Sequence, residues 1–157
     1  RWLKTVYMAG LLHDVGKIGI REGVLCKPGR LTEEELEHIK QHPVLGHRIL
    51  AGLKPLSDVL PAVLQHHEQW NGGGYPDGLQ ADEIPLLARI VAVADAFDAM
   101  SSDRPYRDGL PAEKVKQILR KGAGQYWDPA IIEAFFAAKD GIQEIGGQKR
   151  ALVDGVQ

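Results

Sequence analysis

The chain has 157 residues, of which 44% are hydrophobic and 25% are charged, and its formal net charge is -2. This composition excludes a disordered or fibrous protein, and the charge excludes a long-range attraction to nucleic acid or to an anionic membrane. The length suits one domain with one compact core. An anionic substrate would therefore have to be bound by local positive groups and metal ions.

Cys26 is the single cysteine, which excludes an intrachain disulfide framework and fits a reducing compartment. No apolar run is long enough to span a membrane, and no signal-peptide pattern is present. We therefore expect a cytoplasmic location. Because the first residue is Arg1 and helical periodicity already starts at Trp2, we also expect the chain to be a segment of a longer protein.

Apolar residues spaced three and four apart predict a first, buried helix from Trp2 to His13. The pair His13-Asp14 lies at its inner end. Neighbouring helix positions point about 100° apart, so the two side chains could share one metal or serve two adjacent ones. Taken alone, such a pair is more often an ordinary helix end than a metal site.

Residues 18–31 are predicted to connect this helix to a second one, which a capping box of Thr32 and Glu35 opens. The dipeptide His42-Pro43 interrupts the helical pattern. Because the residue before a proline avoids the helical region, His42 is expected at a corner between two helices. A corner can direct a side chain inward where a regular helix face would not.

Two further helices are predicted, from Pro43 to about Leu53 and from about Leu56 to His67. The pair His66-His67 ends the second of them. Three consecutive glycines at 72–74 then forbid regular structure, and Tyr75-Pro76 stiffens the exit of the loop. Since none of these loop residues is a good metal ligand, we expect the Tyr75→Ala variant to keep its metal.

The longest predicted helix runs from Asp82 to Ser102 and is apolar almost all round, as expected for the central helix of a bundle. Asp95 and Asp98 lie one turn apart in this apolar stretch. An unpaired buried charge is very costly, so a carboxylate there needs a cation or several hydrogen-bond donors. Metal ligation would meet that need.

Two amphipathic helices complete the predicted chain, at about Pro111 to Lys121 and Pro129 to Lys139. We expect one domain over residues 1–143 and a loose tail over residues 144–157. Since no persuasive strand pair is evident, the predicted fold class is all-α.

Metal-ligand residue types recur at predicted helix ends and faces. They are His13, Asp14, His42, His66, His67 and Asp95. Neutral imidazoles together with carboxylates suit iron, manganese or zinc. The combination predicts a metal site, which the first pair alone did not.

Ordered motifs run from about Val6 to Phe136. They are Leu12-His13-Asp14-Val15-Gly16-Lys17-Ile18-Gly19, Lys27-Pro28-Gly29-Arg30-Leu31-Thr32, His42-Pro43, His66-His67-Glu68, Gly74-Tyr75-Pro76, Val93-Ala94-Asp95-Ala96-Phe97-Asp98-Ala99-Met100, Arg104-Pro105-Tyr106-Arg107 and Trp127-Asp128-Pro129. Together they resemble the HD-GYP family, a branch of the HD-domain metal-dependent phosphohydrolases. The resemblance implies an HD-domain helical bundle with a central metal site, here without the family's first helix.

The resemblance also implies an activity, the hydrolysis of cyclic di-GMP, a bacterial second messenger, to linear pGpG or on to GMP. It implies two divalent metal ions, most often iron or manganese, with Asp14 as the carboxylate that bridges them. The ligands implied are His13, Asp14, His42, His66, His67 and Asp95. Family members with a third ion use ligands from a helix that precedes Arg1, so the metal count stays open.

Lys17 is placed, one turn past the His-Asp pair, to contact a phosphate oxygen, which a compact ammonium does well. His13, Asp14 and Lys17 are thus the expected catalytic residues. The resemblance implies nucleotide contacts by Asp98, Arg104 and Arg107; for Asp98 a structural cap or salt bridge competes with that role, and Arg107 is often Lys in relatives. The remaining histidines, His38 and His47, match no family ligand and are expected to be surface or packing residues.

The signature loop Gly74-Tyr75-Pro76 is linked in the family to substrate access and to docking of diguanylate cyclase domains. Relatives usually carry Arg-Trp-Asp-Gly before it, whereas this chain has Gln69-Trp70-Asn71-Gly72, which removes one charge of each sign. This change could alter partner docking or substrate fit. An upstream sensory or receiver domain is expected by analogy.

The sequence is also compatible with other functions. The substrate could be another cyclic dinucleotide, such as 3′,3′-cyclic GMP-AMP, or a nucleotide like those of other HD hydrolases, although the Gly-Tyr-Pro loop argues against the latter. A third reading is a regulatory module that binds a nucleotide or a cyclase domain without turnover. The retention of all the metal-ligand types argues against that reading.

Overall fold

The computed structural model describes residues 1–103 and 108–138. Within these ranges the chain forms eight α-helices and no strand, which confirms the predicted all-α class. The helices are α1 (Trp2–Leu12), α2 (Glu22–Leu25), α3 (Glu33–Ile39), α4 (His42–Leu50), α5 (Leu60–Gln65), α6 (Leu86–Ser101), α7 (Ala112–Gly122) and α8 (Pro129–Ala137). Short 3₁₀ segments lie at Val15–Gly19, Lys54–Val59 and Ala81–Glu83.

Two hydrophobic clusters share α6. The first lies among α1, α4, α5 and α6 and consists of Ala9, Leu50, Val59, Ala62, Val63, Leu87 and Val91. The second lies among α6, α7 and α8 and consists of Val93, Val115, Leu119 and Ile132. Because α6 contributes to both clusters, it has the central position predicted for the longest helix. Each fully buried Val or Leu side chain stabilises the bundle by roughly 1.5–3 kcal/mol.

A backbone contact joins the end of the first helix to α4. A Cβ atom at Gly16 would overlap the carbonyl oxygen of His42 and the backbone nitrogen of Gly46. Only glycine therefore permits the 3₁₀ segment Val15–Gly19 to lie directly on α4. This contact sets His42 beside His13 and Asp14.

Several predicted boundaries differ from the structure, and prolines explain two of them. The central helix begins at Leu86 and not at Asp82, because Ile84 precedes Pro85 and is extended (φ -73, ψ 122). The helix predicted from Leu56 is a 3₁₀ segment followed by α5, with a proline in the first turn of each.

The capping box of Thr32 and Glu35 is present as predicted, with both reciprocal hydrogen bonds formed. The predicted connector 18–31 includes the short helix α2. The predicted tail, residues 144–157, and the nucleotide-binding candidates Arg104 and Arg107 lie outside the described residues. Across the described part of the chain, no helix has both the length and the apolar character that crossing a membrane requires.

Candidate metal centre

The site begins where α1 ends. His13 is the C-cap residue of α1 and Asp14 leads into the 3₁₀ segment. The Nδ1 of His13 lies 2.8 Å from the carbonyl oxygen of Gly10. Because a carbonyl only accepts, Nδ1 must carry a proton, so Nε2 is the nitrogen that faces the cluster and could ligate a metal.

Two other histidines are held in the same way. His42 opens α4 at the predicted corner and is buried, and its Nδ1 donates to the carbonyl of Ile39 at 2.8 Å. His66 follows α5 and is also buried, and its Nδ1 lies 3.1 Å from the carbonyl of Ala62. Metal-binding histidines characteristically donate their second nitrogen in this manner, which fixes the tautomer and the ring orientation.

The free nitrogens converge on one oxygen of Asp14. Asp14 Oδ1 lies 3.2 Å from His42 Nε2 and 3.9 Å from His66 Nε2. The two Nε2 atoms are 3.3 Å apart. With His67 included, one ligand atom from each of the four residues lies within 4.8 Å of all the others.

The other oxygen of Asp14 faces a second group. Asp14 Oδ2 lies 3.4 Å from His13 Nε2, and Asp95 Oδ1 lies 3.7 Å from the same nitrogen. The ammonium of Lys17 is 2.5 Å from Asp14 Oδ2. Asp14 thus stands between two sets of side chains, one at each carboxylate oxygen.

The donor set fits a divalent cation. Among the described residues, His13 Nε2 and Asp14 Oδ1 are buried and have no hydrogen-bond partner. Leaving such a buried polar atom unsatisfied costs roughly 1–3 kcal/mol. A cation bound among them would satisfy these atoms together, and imidazole with carboxylate is a set that transition metals accept.

Burial and local charge shift the pKa values of the cluster. Burial, aided by the neighbouring imidazoles, lowers the pKa of His66 to about 3 and that of His67 to about 4. Both rings are therefore neutral near pH 7 and able to ligate. Contact with His13 lowers the pKa of Asp95, so this carboxylate is ionised.

His13 and Asp14 form the charged part of the cluster. Burial opposes the charged form of both, but the carboxylates of Asp14 and Asp95 outweigh it and raise the pKa of His13 to about 10. Contacts with His13, His42 and Lys17 in turn hold the pKa of Asp14 well below its usual range. The negative field that favours a proton on His13 would equally favour a metal cation.

The signature loop packs against this cluster. The ring of Tyr75 stacks on that of His67, with centroids 4.9 Å apart and an angle of 22° between the planes. Burial, followed by the charges of Asp14 and Asp95, raises the pKa of Tyr75 to about 12, so its phenol stays neutral. The loop is thus in direct contact with a candidate metal ligand.

Glu68 is a residue whose role the sequence did not reveal. It is buried, and its carboxylate accepts hydrogen bonds from the backbone N–H groups of Asp77, Gly78 and Leu79. The available signal was an acidic residue between a histidine pair and a glycine-rich loop. A buried carboxylate so placed needs several donors, and the loop backbone supplies them.

Asp98 is exposed and accepts a hydrogen bond from Ser102 Oγ at 3.1 Å, which is the structural contact expected as its alternative role. His38 Nε2 accepts from the backbone N–H of Arg21, and neither His38 nor His47 belongs to the cluster. The structure brings the six predicted ligands together, while their role as ligands remains a prediction.

The helical bundle and its His/Asp cluster indicate the protein family to which the chain belongs. The sequence matches the HD domain family over residues 1–131, and the chain belongs to that family. HD-domain proteins are metal-dependent, and the group around Asp14 could hold a metal ion. A crystal structure of cyclic GMP-AMP specific phosphodiesterases from Vibrio cholerae has the same fold, with a TM-score of 0.68 at 19% identity over 91% of this chain and 39% of that one.

The names of curated relatives confirm the resemblance to the HD-GYP family. A "cyclic di-GMP phosphodiesterase" from Thermotoga maritima is 44% identical over 92% of this chain and 40% of its own length. A "3′3′-cGAMP-specific phosphodiesterase 3" from Vibrio cholerae is 39% identical over 90% of this chain and 29% of its own length. The chain thus spans well under half the length of these relatives.

Proposed function

We propose that the chain is the catalytic part of a metal-dependent phosphodiesterase that hydrolyses cyclic di-GMP to linear pGpG or on to GMP. The observation that carries this proposal is the convergence on Asp14, whose Oδ1 faces His42 and His66 while Oδ2 faces His13. The names of several relatives with 41–44% identity support the substrate.

The site would hold two divalent metal ions, with iron or manganese the expected elements. Its two groups of side chains support this number, because each oxygen of Asp14 faces a different group. The proposed ligands are His13, Asp14, His42, His66, His67 and Asp95. When bound, a pair of such ions activates a water molecule and offsets charge on the phosphodiester.

Lys17 would bind a phosphate oxygen. Its ammonium has three hydrogen-bond donors, and the contact with Asp14 Oδ2 uses one of them. The side chain is 43% exposed, so the other donors can reach a substrate that enters from solvent. Asp14 holds this ammonium beside the cluster, where the charge of the phosphodiester would lie.

Asp98, Arg104 and Arg107 would contact the nucleotide. This part of the proposal comes from the sequence, since both arginines lie outside the described residues. Asp98 is exposed near the end of α6, one turn past Asp95. A guanidinium offers a planar pair of donors that fits guanine or phosphate.

The test is turnover of cyclic di-GMP by the full-length protein, with products separated and metal content measured on the same sample. The expected result is pGpG or GMP in proportion to bound metal. A metal-loaded protein that binds cyclic di-GMP but hydrolyses no cyclic dinucleotide would instead be a regulatory module. A protein without bound metal and without turnover would contradict the proposal altogether.

A second candidate substrate is 3′,3′-cyclic GMP-AMP. The observation in its favour is that the relative named for this substrate is 39% identical, close to the 44% of the cyclic di-GMP relative. Overall similarity therefore does not separate the two substrates. The ratio of kcat/KM for the two dinucleotides decides, and we expect it to favour cyclic di-GMP.

We also propose binding partners and a cellular location for the protein. A diguanylate cyclase domain would dock at the Gly74-Tyr75-Pro76 loop, and a sensory or receiver domain would lie upstream. The exposed Asn71 and its neighbour Gln69 would tune this docking, which binding of a purified cyclase domain to the Asn71→Asp variant can test. The free, exposed thiol of Cys26 supports a cytoplasmic location.

A further inference from the structure

His67 differs from the other histidines of the cluster in what holds its ring. His13, His42 and His66 each donate Nδ1–H to a backbone carbonyl. Among the described residues, no hydrogen bond orients the ring of His67. The rings of His66 and His42 contact it in tilted and edge-on arrangements, at 4.2 and 5.0 Å, whereas the ring of Tyr75 stacks on it at 4.9 Å and 22°. A stacked aromatic pair contributes about as much as a hydrogen bond, so Tyr75 can fix this ring.

The backbone around Tyr75 is itself tied to His67. The N–H of Tyr75 donates to the carbonyl of His67 at 3.3 Å. A Cβ atom at Gly74 would overlap the backbone of His67, Glu68 and Gln69. The loop therefore returns onto the histidine pair at a distance that only glycine permits, and it brings the Tyr75 ring over His67.

Glu68 anchors the residues that follow Tyr75 in the same loop. Its carboxylate, 4% exposed as a residue, accepts N–H groups from Asp77, Gly78 and Leu79 at 2.7, 3.1 and 3.0 Å. Hydrogen bonds to an ionised acceptor are about twice as strong as neutral ones. Because Glu68 directly follows His67, one short segment carries both the candidate ligand and the anchor of the loop that stacks on it.

We propose that Tyr75 is a positioning residue for His67 and that Glu68 holds Tyr75 in place. This inference rests on the proposed metal site. It gives the signature loop a role in supporting metal binding, in contrast to the sequence-based expectation that the loop and the metal are independent. The stack orients the His67 ring, as a hydrogen bond to a backbone carbonyl orients the rings of His13, His42 and His66.

The test measures cobalt(II) binding to the metal-free full-length protein by visible absorption, with affinity obtained by competition with a chelator. Tyr75→Ala should weaken binding roughly tenfold, the lower end for loss of a group that orients a ligand. It should also change the cobalt spectrum. Tyr75→Phe keeps the ring and should restore both affinity and spectrum.

Glu68 is tested in the same assay. Glu68→Ala should weaken cobalt binding as much as Tyr75→Ala, and Glu68→Gln, which retains one acceptor oxygen, should lie between this variant and wild type. The double variant should be no weaker than either single one, because both changes remove the same stack. If Glu68→Ala does not fold, Tyr75→Ala against Tyr75→Phe decides alone.

Tyr126→Ala is the matched control. Tyr126 also makes a ring contact within a loop, with Trp127 at 5.7 Å, and it does not belong to the cluster. Its removal should leave cobalt affinity unchanged. Equal affinities for wild type, Tyr75→Ala and Glu68→Ala would overturn the inference, whereas a wild-type protein that binds no divalent metal would contradict the proposed function itself.

Discussion

At the scale of single residues, the site depends on the two oxygens of one carboxylate. Asp14 Oδ1 faces His42 at 3.2 Å and Oδ2 faces His13 at 3.4 Å. A monodentate group could not serve both sides. The second oxygen also pairs with Lys17, so this residue links the candidate metal centre to the group proposed to bind phosphate.

We therefore expect Asp14→Asn to lose both metal and activity. The amide has similar volume but carries no charge, and its single acceptor oxygen can face only one group. Metal analysis and cyclic di-GMP turnover on one sample would show both losses. Asp58→Asn is the control, because Asp58 is exposed and pairs with Arg1 near the start of the chain. An Asp14→Asn protein with normal metal and turnover would refute the bridging role.

Lys17→Ala should keep the metal but slow turnover. Loss of one electrostatic contact to a reacting group costs roughly a hundredfold or more in kcat. Lys116→Ala is matched to it, since Lys116 also pairs with an acidic residue three positions earlier, on α7. Full activity in the Lys17 variant, with metal content unchanged, would contradict its phosphate-binding role.

At the scale of elements, the sequence predicted what local chemistry determines. The capping box placed the start of α3, and Pro43 placed His42 at a helix start, because both signals act within a few residues. Periodicity alone predicts that α6 begins at Asp82, whereas it begins at Leu86. The pattern of apolar residues does not include the backbone restriction that Pro85 imposes on Ile84.

The sequence pattern could not predict contacts between residues that are far apart along the chain. Nothing in the residues around Gly16 indicated that it meets the backbone of His42 and Gly46. Glu68 likewise read as part of a motif, while its bonds to residues 77–79 depend on how the loop folds back. Residue types and order predicted candidate ligands, but not the contacts that hold them.

Gly16→Ala should therefore disrupt both packing and the site. The added methyl group would overlap the His42 carbonyl, so α4 must shift, and overpacking of this kind typically costs 1–3 kcal/mol. Urea unfolding and metal affinity should both show a loss. Gly23→Ala is the control, because its Cβ meets nothing within 4 Å and it lies in α2. Equal stability of the two variants would contradict the close contact.

At the scale of the whole molecule, the cluster lies where α1, α4, α5 and α6 meet. In the part of the chain that the structure describes, its buried atoms His13 Nε2 and Asp14 Oδ1 have no hydrogen-bond partner. A cation that binds only the folded state stabilises it by mass action, by about 2.7 kcal/mol when its free concentration is a hundred times Kd. Metal binding and the stability of the bundle should thus be linked.

We expect a chelator to lower the Tm of the wild-type protein and added manganese to restore it. The physical reason is that metal removal leaves buried polar atoms of the cluster without a partner. The Asp14→Asn variant should show little change in Tm with either treatment. A wild-type Tm that is the same with chelator and with metal would contradict this linkage.

The most direct measurement is a crystal structure of the metal-loaded full-length protein, with anomalous scattering used to locate the ions. We expect two peaks about 3.5–4 Å apart. Asp14 should lie between them, with His42, His66 and His67 on one side and His13 and Asp95 on the other. Peaks away from Asp14, or metal bound by other residues, would contradict the proposed metal centre.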